Sequence, residues 1–252
     1  MIFRRGKKSP ESEPLETHRD TEPVEEQSAE ASEAEPATAE ETDEGALDVE
    51  ELDSRFWREQ GPYDIAEVDL DDEEPEDSPR IDLGSMILTG FPGAELRLQV
   101  SEETQQIVSA MLISGNSALE LGAYAAPRSG GLWSELREDM MQTATEAGGS
   151  ASIVEGPFGV ELRRLLPVTT PEGEEGYQPS RMWVAEGPRW LLRGIVYGQA
   201  ALEEGEEPPV AELLAAFRKV IVRRGDEAMA PGDLLPLTMP ANLVPGEPEQ
   251  PA

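Results

Sequence analysis

The stretch "QIVSAMLISGNSALELGAYA" (residues 106–125) holds two runs of apolar residues on either side of Ser114-Gly115-Asn116-Ser117. Apolar runs with strand-like alternation, split by a short Gly/Asn/Ser break, are the signal of a hairpin. A preceding run, "ELRLQV" (95–100), alternates in the same way and reads as a third strand of the meander. Further strands are expected over "ASIVE" (151–155), "VELRRLLPV" (160–168), "RMWVAE" (181–186) and "RWLLRGIVYGQ" (189–199), with "RIDLGSMIL" (80–88) as a first strand. The turns Glu155-Gly156-Pro157 and Glu186-Gly187-Pro188 echo one another and suggest two hairpins of similar build, joined by the loop "TTPEGEEGYQPS".

Only two segments have helical spacing. Leu132, Leu136, Met140 and Ala144 recur every fourth residue, with an opening near Ser129 and a stop at Gly148-Gly149. Near the end, Val210, Leu213, Leu214, Phe217, Val220 and Ile221 form one stripe, with Pro209 in the first turn and Gly225 as the stop. A parallel sheet needs a crossover after nearly every strand, and two helices are too few. The expected fold is therefore α+β: a mainly antiparallel sheet of six to seven strands covered by two helices. The closing "APGDLLPLTMP" should run extended over the surface.

Charge divides the chain. Residues 1–80 hold 28 acidic and 8 basic residues, and the whole chain carries a net charge of −33. Residues 1–55 are low-complexity Glu/Ala/Ser/Thr/Pro sequence, too poor in apolar groups to offset the entropy of ordering, and are expected to be a disordered acidic tail. Residues 56–81 read as an acidic linker in which Phe56, Trp57, Tyr63, Ile65 and Val68 either dock on the chain's own domain or recognise a partner. A single domain is expected over 82–240, and a disordered end over 241–252.

Composition excludes much chemistry. The acidic balance argues against nucleic acid and against an anionic membrane surface, and favours a basic partner or simple solubility. No apolar run is long enough to span a bilayer, and "MIFRRGKKSPESEP" lacks the apolar segment of a secretory signal, so a cytoplasmic protein is expected. Without cysteine there is no thiolate site, and the one histidine, His18, lies in the tail, so no triad or imidazole base is expected in the domain. No phosphate-binding glycine loop is present, the acidic run from Asp69 does not fit a calcium loop, and neither a metal nor a cofactor is expected. Glu120, Glu155, Glu161 and Glu186 lie in or beside strands, where each either pairs with Arg163, Arg164, Arg189 or Arg193, faces solvent, or serves as an acid–base group.

Two places could hold a ligand. Alternation along 189–197 puts Trp190, Leu192, Gly194 and Val196 on one face, and Arg189, Leu191, Arg193, Ile195 and Tyr197 on the other. The arginines either pair with carboxylates at the sheet rim or form a fork for an anion. In "AAPRSGGLWSEL", Arg128, Ser129 and Gly130 lead into a helix, where Ser129 either caps it or joins free backbone N–H groups in binding an anion. In the tail, Thr21 and Thr42 have acidic surroundings that suit phosphorylation by acidophilic kinases.

"RIDLGS", "LRLQV", "SALELGAYAAPRSGGLW", "GPFGVEL", "EGPRWLLRG" and "DLLPLTMP" together resemble an uncharacterised actinobacterial family, a domain of unknown function, over roughly residues 60–240. The resemblance implies a cytoplasmic protein with a variable acidic front and supplies no activity or catalytic residues. Gly232 stands where that resemblance suggests an arginine. The leading expectation is a non-enzymatic interaction or regulatory protein. Its sheet domain would bind a protein partner, and its acidic tail would tune solubility or carry phosphosites. The alternative is an enzyme or small-ligand binder for an anionic metabolite such as a nucleotide, using Arg128, Arg189, Arg193 and Tyr197.

Overall fold

The computed structural model describes residues 47–70, 80–170 and 173–240. Thr21, Thr42, His18 and the segment 241–252 lie outside the described residues. In chain order the elements are α1 (Val49–Ser54), β1 (Tyr63–Asp64), β2 (Arg80–Asp82), β3 (Met86–Thr89), β4 (Glu95–Val100), β5 (Ile107–Ser114) and β6 (Ser117–Ala125). Then follow α2 (Leu132–Glu146), β7 (Ser150–Gly156), β8 (Gly159–Thr169), β9 (Glu175–Gly187), β10 (Trp190–Gly198), α3 (Val210–Arg218) and β11 (Ile221–Val222).

Among the described residues, seven strands form one antiparallel sheet in the order β4-β5-β6-β10-β9-β8-β7. The two hairpins read from the sequence, β7–β8 and β9–β10, meet across β8 and β9, and the β4-β5-β6 meander joins them across β6 and β10, with Arg193 opposite Gly122 and Ile195 opposite Glu120. One sheet face carries the larger core, in which Leu119, Leu121, Trp183, Trp190, Leu192 and Val196 pack against α3 and a second sheet. Each such buried side chain contributes roughly 1.5–3 kcal/mol of transfer free energy. Gly194 lets α3 come this close, because a Cβ there would lie 2.7 Å from the Phe217 ring. On the opposite face α2 covers only part of the sheet, burying Leu132 and Trp133 against Leu162, Met182, Val184 and Leu191.

Several expectations need correction. "RIDLGSMIL" is two strands, not one. Gly84, at φ +83°, turns the chain between β2 and β3, and the Asp82 carboxylate accepts its N–H at 2.8 Å. These strands belong to a four-stranded sheet, β1-β11-β3-β2, that the sequence reading does not contain. The last helix ends at Arg218; Ile221 and Val222 are β11, paired with Ile87 and Met86 of β3. Val220 and Ile221 are buried as expected, but outside the helix. A short β-branched run fits either period, and here strand pairing decides. β9 starts at Glu175, so most of the loop expected before it is strand. The closing segment is extended, yet Leu235 is fully buried, its N–H donating to the Ala123 carbonyl at 2.8 Å, so it is not a surface strap.

Val49–Ser54, placed in the tail by composition, form a helix whose first turn is capped by the Asp48 side chain. Asp53 of α1 binds Arg137 of α2 through two contacts of 2.8 and 2.9 Å. Downstream, Trp57 packs on the larger core, β1 runs parallel beside β11, and the Trp190 indole N–H donates to Asp64 at 2.7 Å. Residues 49–68 are therefore seated on the sheet domain.

Candidate functional site

The six ligand-contact candidates from the sequence separate into two groups. Arg128, Ser129 and Gly130 lie in the turn before α2, and Arg189 lies in the β9–β10 turn at φ +64° rather than in the strand. Arg189 therefore does not share a strand face with Arg193. Its carbonyl accepts the Ala126 N–H at 3.0 Å and the Arg224 Nε at 3.1 Å, which ties this end of the sheet together.

At the start of α2 the protein itself supplies an acceptor for the backbone donors. Gly130 and Gly131 both have positive φ, and Gly131, not Ser129, is the N-cap. The Glu186 carboxylate arrives from the end of β9 and accepts the Gly131 N–H at 2.9 Å and the Trp133 N–H at 2.8 Å. An anion does sit at this helix end, and it is a side chain three strands of sequence away. Ser129 makes only a 3.5 Å contact to the Gly130 carbonyl. Neither the Ser129 cap nor the open anion cradle describes this turn.

Arg193 and Tyr197 point to a different place, the sheet face beside α2. Period two along β10 keeps Leu191, Arg193, Ile195 and Tyr197 together, and register puts Arg164 of β8 opposite Ser180 of β9 on the same face. Tyr197 donates its hydroxyl to Glu120 of β6 at 3.1 Å. The Arg193 guanidinium carbon lies 5.0 Å from the centre of the Tyr124 ring. Gly122 leaves room for that ring, since a Cβ there would meet the Tyr124 hydroxyl at 3.0 Å. Two shallow cavities line the side of α2 here. One, of about 90 Å³, takes in Arg193, Tyr124 and Gly232, the other, of about 210 Å³, Arg164 and Leu166, and Leu136 and Met140 of α2 border both.

The electrostatics of this groove are unusual for so acidic a chain. Neither Arg164 nor Arg193 forms an ion pair within 4.0 Å among the described residues, and the Nε of each is buried without an acceptor. Arg58 also has an unaccepted Nε, but its two terminal nitrogens are held by Glu67. Burial pushes the Arg164 pKa down, against a smaller upward pull from Tyr197. Burial, then the Glu120 carboxylate, pushes the Tyr197 phenol up to about 12, partly opposed by Arg164 and Arg193. Burial also raises Tyr124, with Arg193 opposing. At neutral pH the groove and its border hold two cations, two phenol hydroxyls, the Glu120 carboxylate engaged by Tyr197, and Asp139 of α2 beside Arg164.

The remaining carboxylates are accounted for. Glu161, fully buried, accepts from Arg163 Nε at 2.8 Å, from Arg181 at 2.8 and 2.9 Å, and from the Trp183 indole N–H at 2.8 Å. Glu186 caps α2, and Glu155 is exposed on the edge strand. Arginine–glutamate pairing thus holds for Arg163 and fails for Arg164 and Arg193. Arg164 and Tyr124 were missing from the ligand candidates of the sequence. Alternation along 160–168 puts Arg163 on the face of Glu161 and Arg164 on the other, so the first pairing is readable locally, while the lack of a partner for Arg164 is not.

No helix among the described residues is long and apolar enough to cross a membrane. Fold and groove together define a sheet protein with an arginine-lined cleft beside one covering helix. The chain belongs to the family described as protein of unknown function (DUF3710), whose model matches residues 61–245. No curated protein matches the chain. Among solved structures it is similar to cyanobacterial PsbP (CyanoP) from Synechocystis sp. PCC 6803, at 11% identity over 62% of this chain and 98% of that one, with a TM-score of 0.34.

Proposed function

We propose that this is a binding protein for a small organic anion, taken up in the groove beside α2 by Arg164 and Arg193. The observation that carries the reading is the pair of buried guanidinium Nε atoms with no acceptor, on one sheet face. A buried donor left unpaired costs about 1–3 kcal/mol, and a hydrogen bond from a charged donor to an oxyanion returns about 1.5–3 kcal/mol. Arg193 lines the smaller cavity and Arg164 the larger, so a phosphate or carboxylate at either would compensate its charge, while Tyr124, Leu136 and Met140 offer a planar or apolar body its contact surface. A nucleotide meets that description.

Turnover is not part of the proposal. The described residues contain neither histidine nor cysteine, and the Glu120 carboxylate is engaged by Tyr197. The test is calorimetry and thermal shift with a nucleotide panel and with inorganic phosphate. A ligand that raises the melting midpoint of the wild type and loses at least about tenfold affinity, equal to about 1.4 kcal/mol, in Arg193→Ala and Arg164→Ala supports the reading. A flat panel, or binding that survives both substitutions, refutes it.

A further inference from the structure

The other face of the same strands carries a second surface, independent of the groove. β7 accompanies β8 only as far as the pair Ser150–Leu165, and β10 accompanies β9 only as far as Val196–Arg181. Beyond those pairs, Leu166–Thr169 and Glu175–Gln178 pair with each other alone and form a two-stranded arm. Register sets Leu165 opposite Pro179 and Pro167 opposite Tyr177, so the four share one face. That face is apolar and open: Leu165 is 40% exposed and Tyr177 61% exposed. A two-stranded ribbon gains little stability by itself, so exposed apolar groups on one call for an account beyond folding.

Carboxylates border the strip at both ends. Glu174 and Glu175 are exposed at its outer end. At its inner end, Arg163 and Arg181 lie two residues from Leu165 and Pro179 on the same face and hold the 203–207 loop. Arg181 donates to the carbonyls of Glu203 and Gly205 at 3.0 Å, and Arg163 donates to that of Glu204 at 3.1 Å. That loop presents Glu204, Glu206 and Glu207 to solvent, and no lysine or arginine occurs between Leu165 and Ser180. Addition of a further strand to the arm is disfavoured, because Pro167 on β8 and Pro179 on β9 each remove a backbone donor. The contact is therefore through the face.

We infer that this arm face docks a protein partner with a basic rim around an apolar centre, Tyr177 and Leu165 being the anchors. A second copy of the chain is the wrong occupant, since it would bring acidic rims together on molecules of net charge −33. Tyrosine with a neighbouring aliphatic group inside a charged border is the composition of an interface anchor.

The experiment replaces Tyr177 of the full chain with photo-reactive benzoylphenylalanine in cells of its own host, with Glu138 on the exposed side of α2 as the control position. The expected result is a discrete adduct at Tyr177 and none at Glu138. The captured protein, purified, then binds the wild-type chain, weakens as salt rises, and binds at least about tenfold more weakly to the Tyr177→Ala, Leu165→Ser double variant. Glu204→Lys, which leaves the apolar strip in place, weakens it as well and covers the case of a double variant that folds poorly. Arg164→Ala leaves this contact unchanged, which separates it from the anion groove. The inference is overturned by an adduct formed only with a second copy, by equal labelling at Glu138, or by no adduct. Binding indifferent to Glu204→Lys and to salt overturns it too.

Discussion

Arg163 and Arg164 are neighbours in one strand, and their environments are opposites. Arg163 joins Glu161, Arg181 and Trp183 in a cluster on the core face, where every oxygen of the carboxylate is taken. Arg164 lies on the other face with Arg193, and among the described residues neither forms an ion pair within 4.0 Å. The first cluster is architecture, because Arg181 also carries the 203–207 loop through backbone carbonyls. The second leaves charge uncompensated beside an open groove. Two arginines of one sequence pair therefore teach that pairing, not residue type or burial alone, separates scaffold from site.

The largest expected effect tests the closed cluster. Glu161→Ala strands the buried Arg181 and is expected to destabilise the fold by about 3–5 kcal/mol, the scale for breaking a buried pair, read by urea denaturation. A loss below about 1 kcal/mol, the scale of an exposed pair, would erase the distinction drawn between the two faces. Next comes Glu186→Ala, which removes the carboxylate from the α2 N-terminus; a loss of about 1 kcal/mol is expected, as for other N-cap deletions. Ser129→Ala in the same turn should leave the denaturation midpoint in place.

Smaller again is the stability effect of opening the second cluster. Arg193→Met and Arg164→Met are expected to leave the midpoint within about 1 kcal/mol of wild type, because no ion pair is lost. A collapse on either substitution would move these arginines to the structural side of the comparison. The remaining effect appears only at alkaline pH. The folded pKa of Tyr197, near 12, lies above that of an unfolded tyrosine. The folded state therefore holds a proton that the unfolded state has released, and stability falls as pH rises from about 10 through 12. Tyr197→Phe should flatten part of that decline, followed by denaturation midpoint and phenolate absorbance. An unchanged pH profile in the variant would contradict the pKa shift.

The strand pattern was legible where alternation is long. β4, β5, β6 and β10 fall within a residue of the expected runs, and the division of β10 into a Trp190/Leu192/Val196 face and a Leu191/Ile195/Tyr197 face matches the two cores. Short elements were not legible. β1, β2 and β11 have two or three residues each, below the length at which periodicity discriminates, and they exist because β3 offers β2 and β11 a partner and β11 in turn offers one to β1. The same holds for the site. Arg193 and Tyr197 could be named from the sequence, but Arg164 and Tyr124 join them only through register across β6, β10, β9 and β8.

What the sequence determined by itself was local. Alternation and turn chemistry dictate which residues are extended and which face each side chain takes, because those follow from backbone geometry within a few residues. Composition likewise sets the acidic charge and removes cysteine and histidine chemistry from the sheet domain. What only the tertiary structure decided was partnership. Whether Glu186 caps a helix, whether Glu161 also meets Arg181, and whether Arg164 and Arg193 meet a carboxylate depend on which elements lie side by side. A charge-assisted hydrogen bond needs donor and acceptor in direct contact, and Coulombic attraction weakens with distance and solvent screening, so a carboxylate neutralises the arginine that folding brings against it.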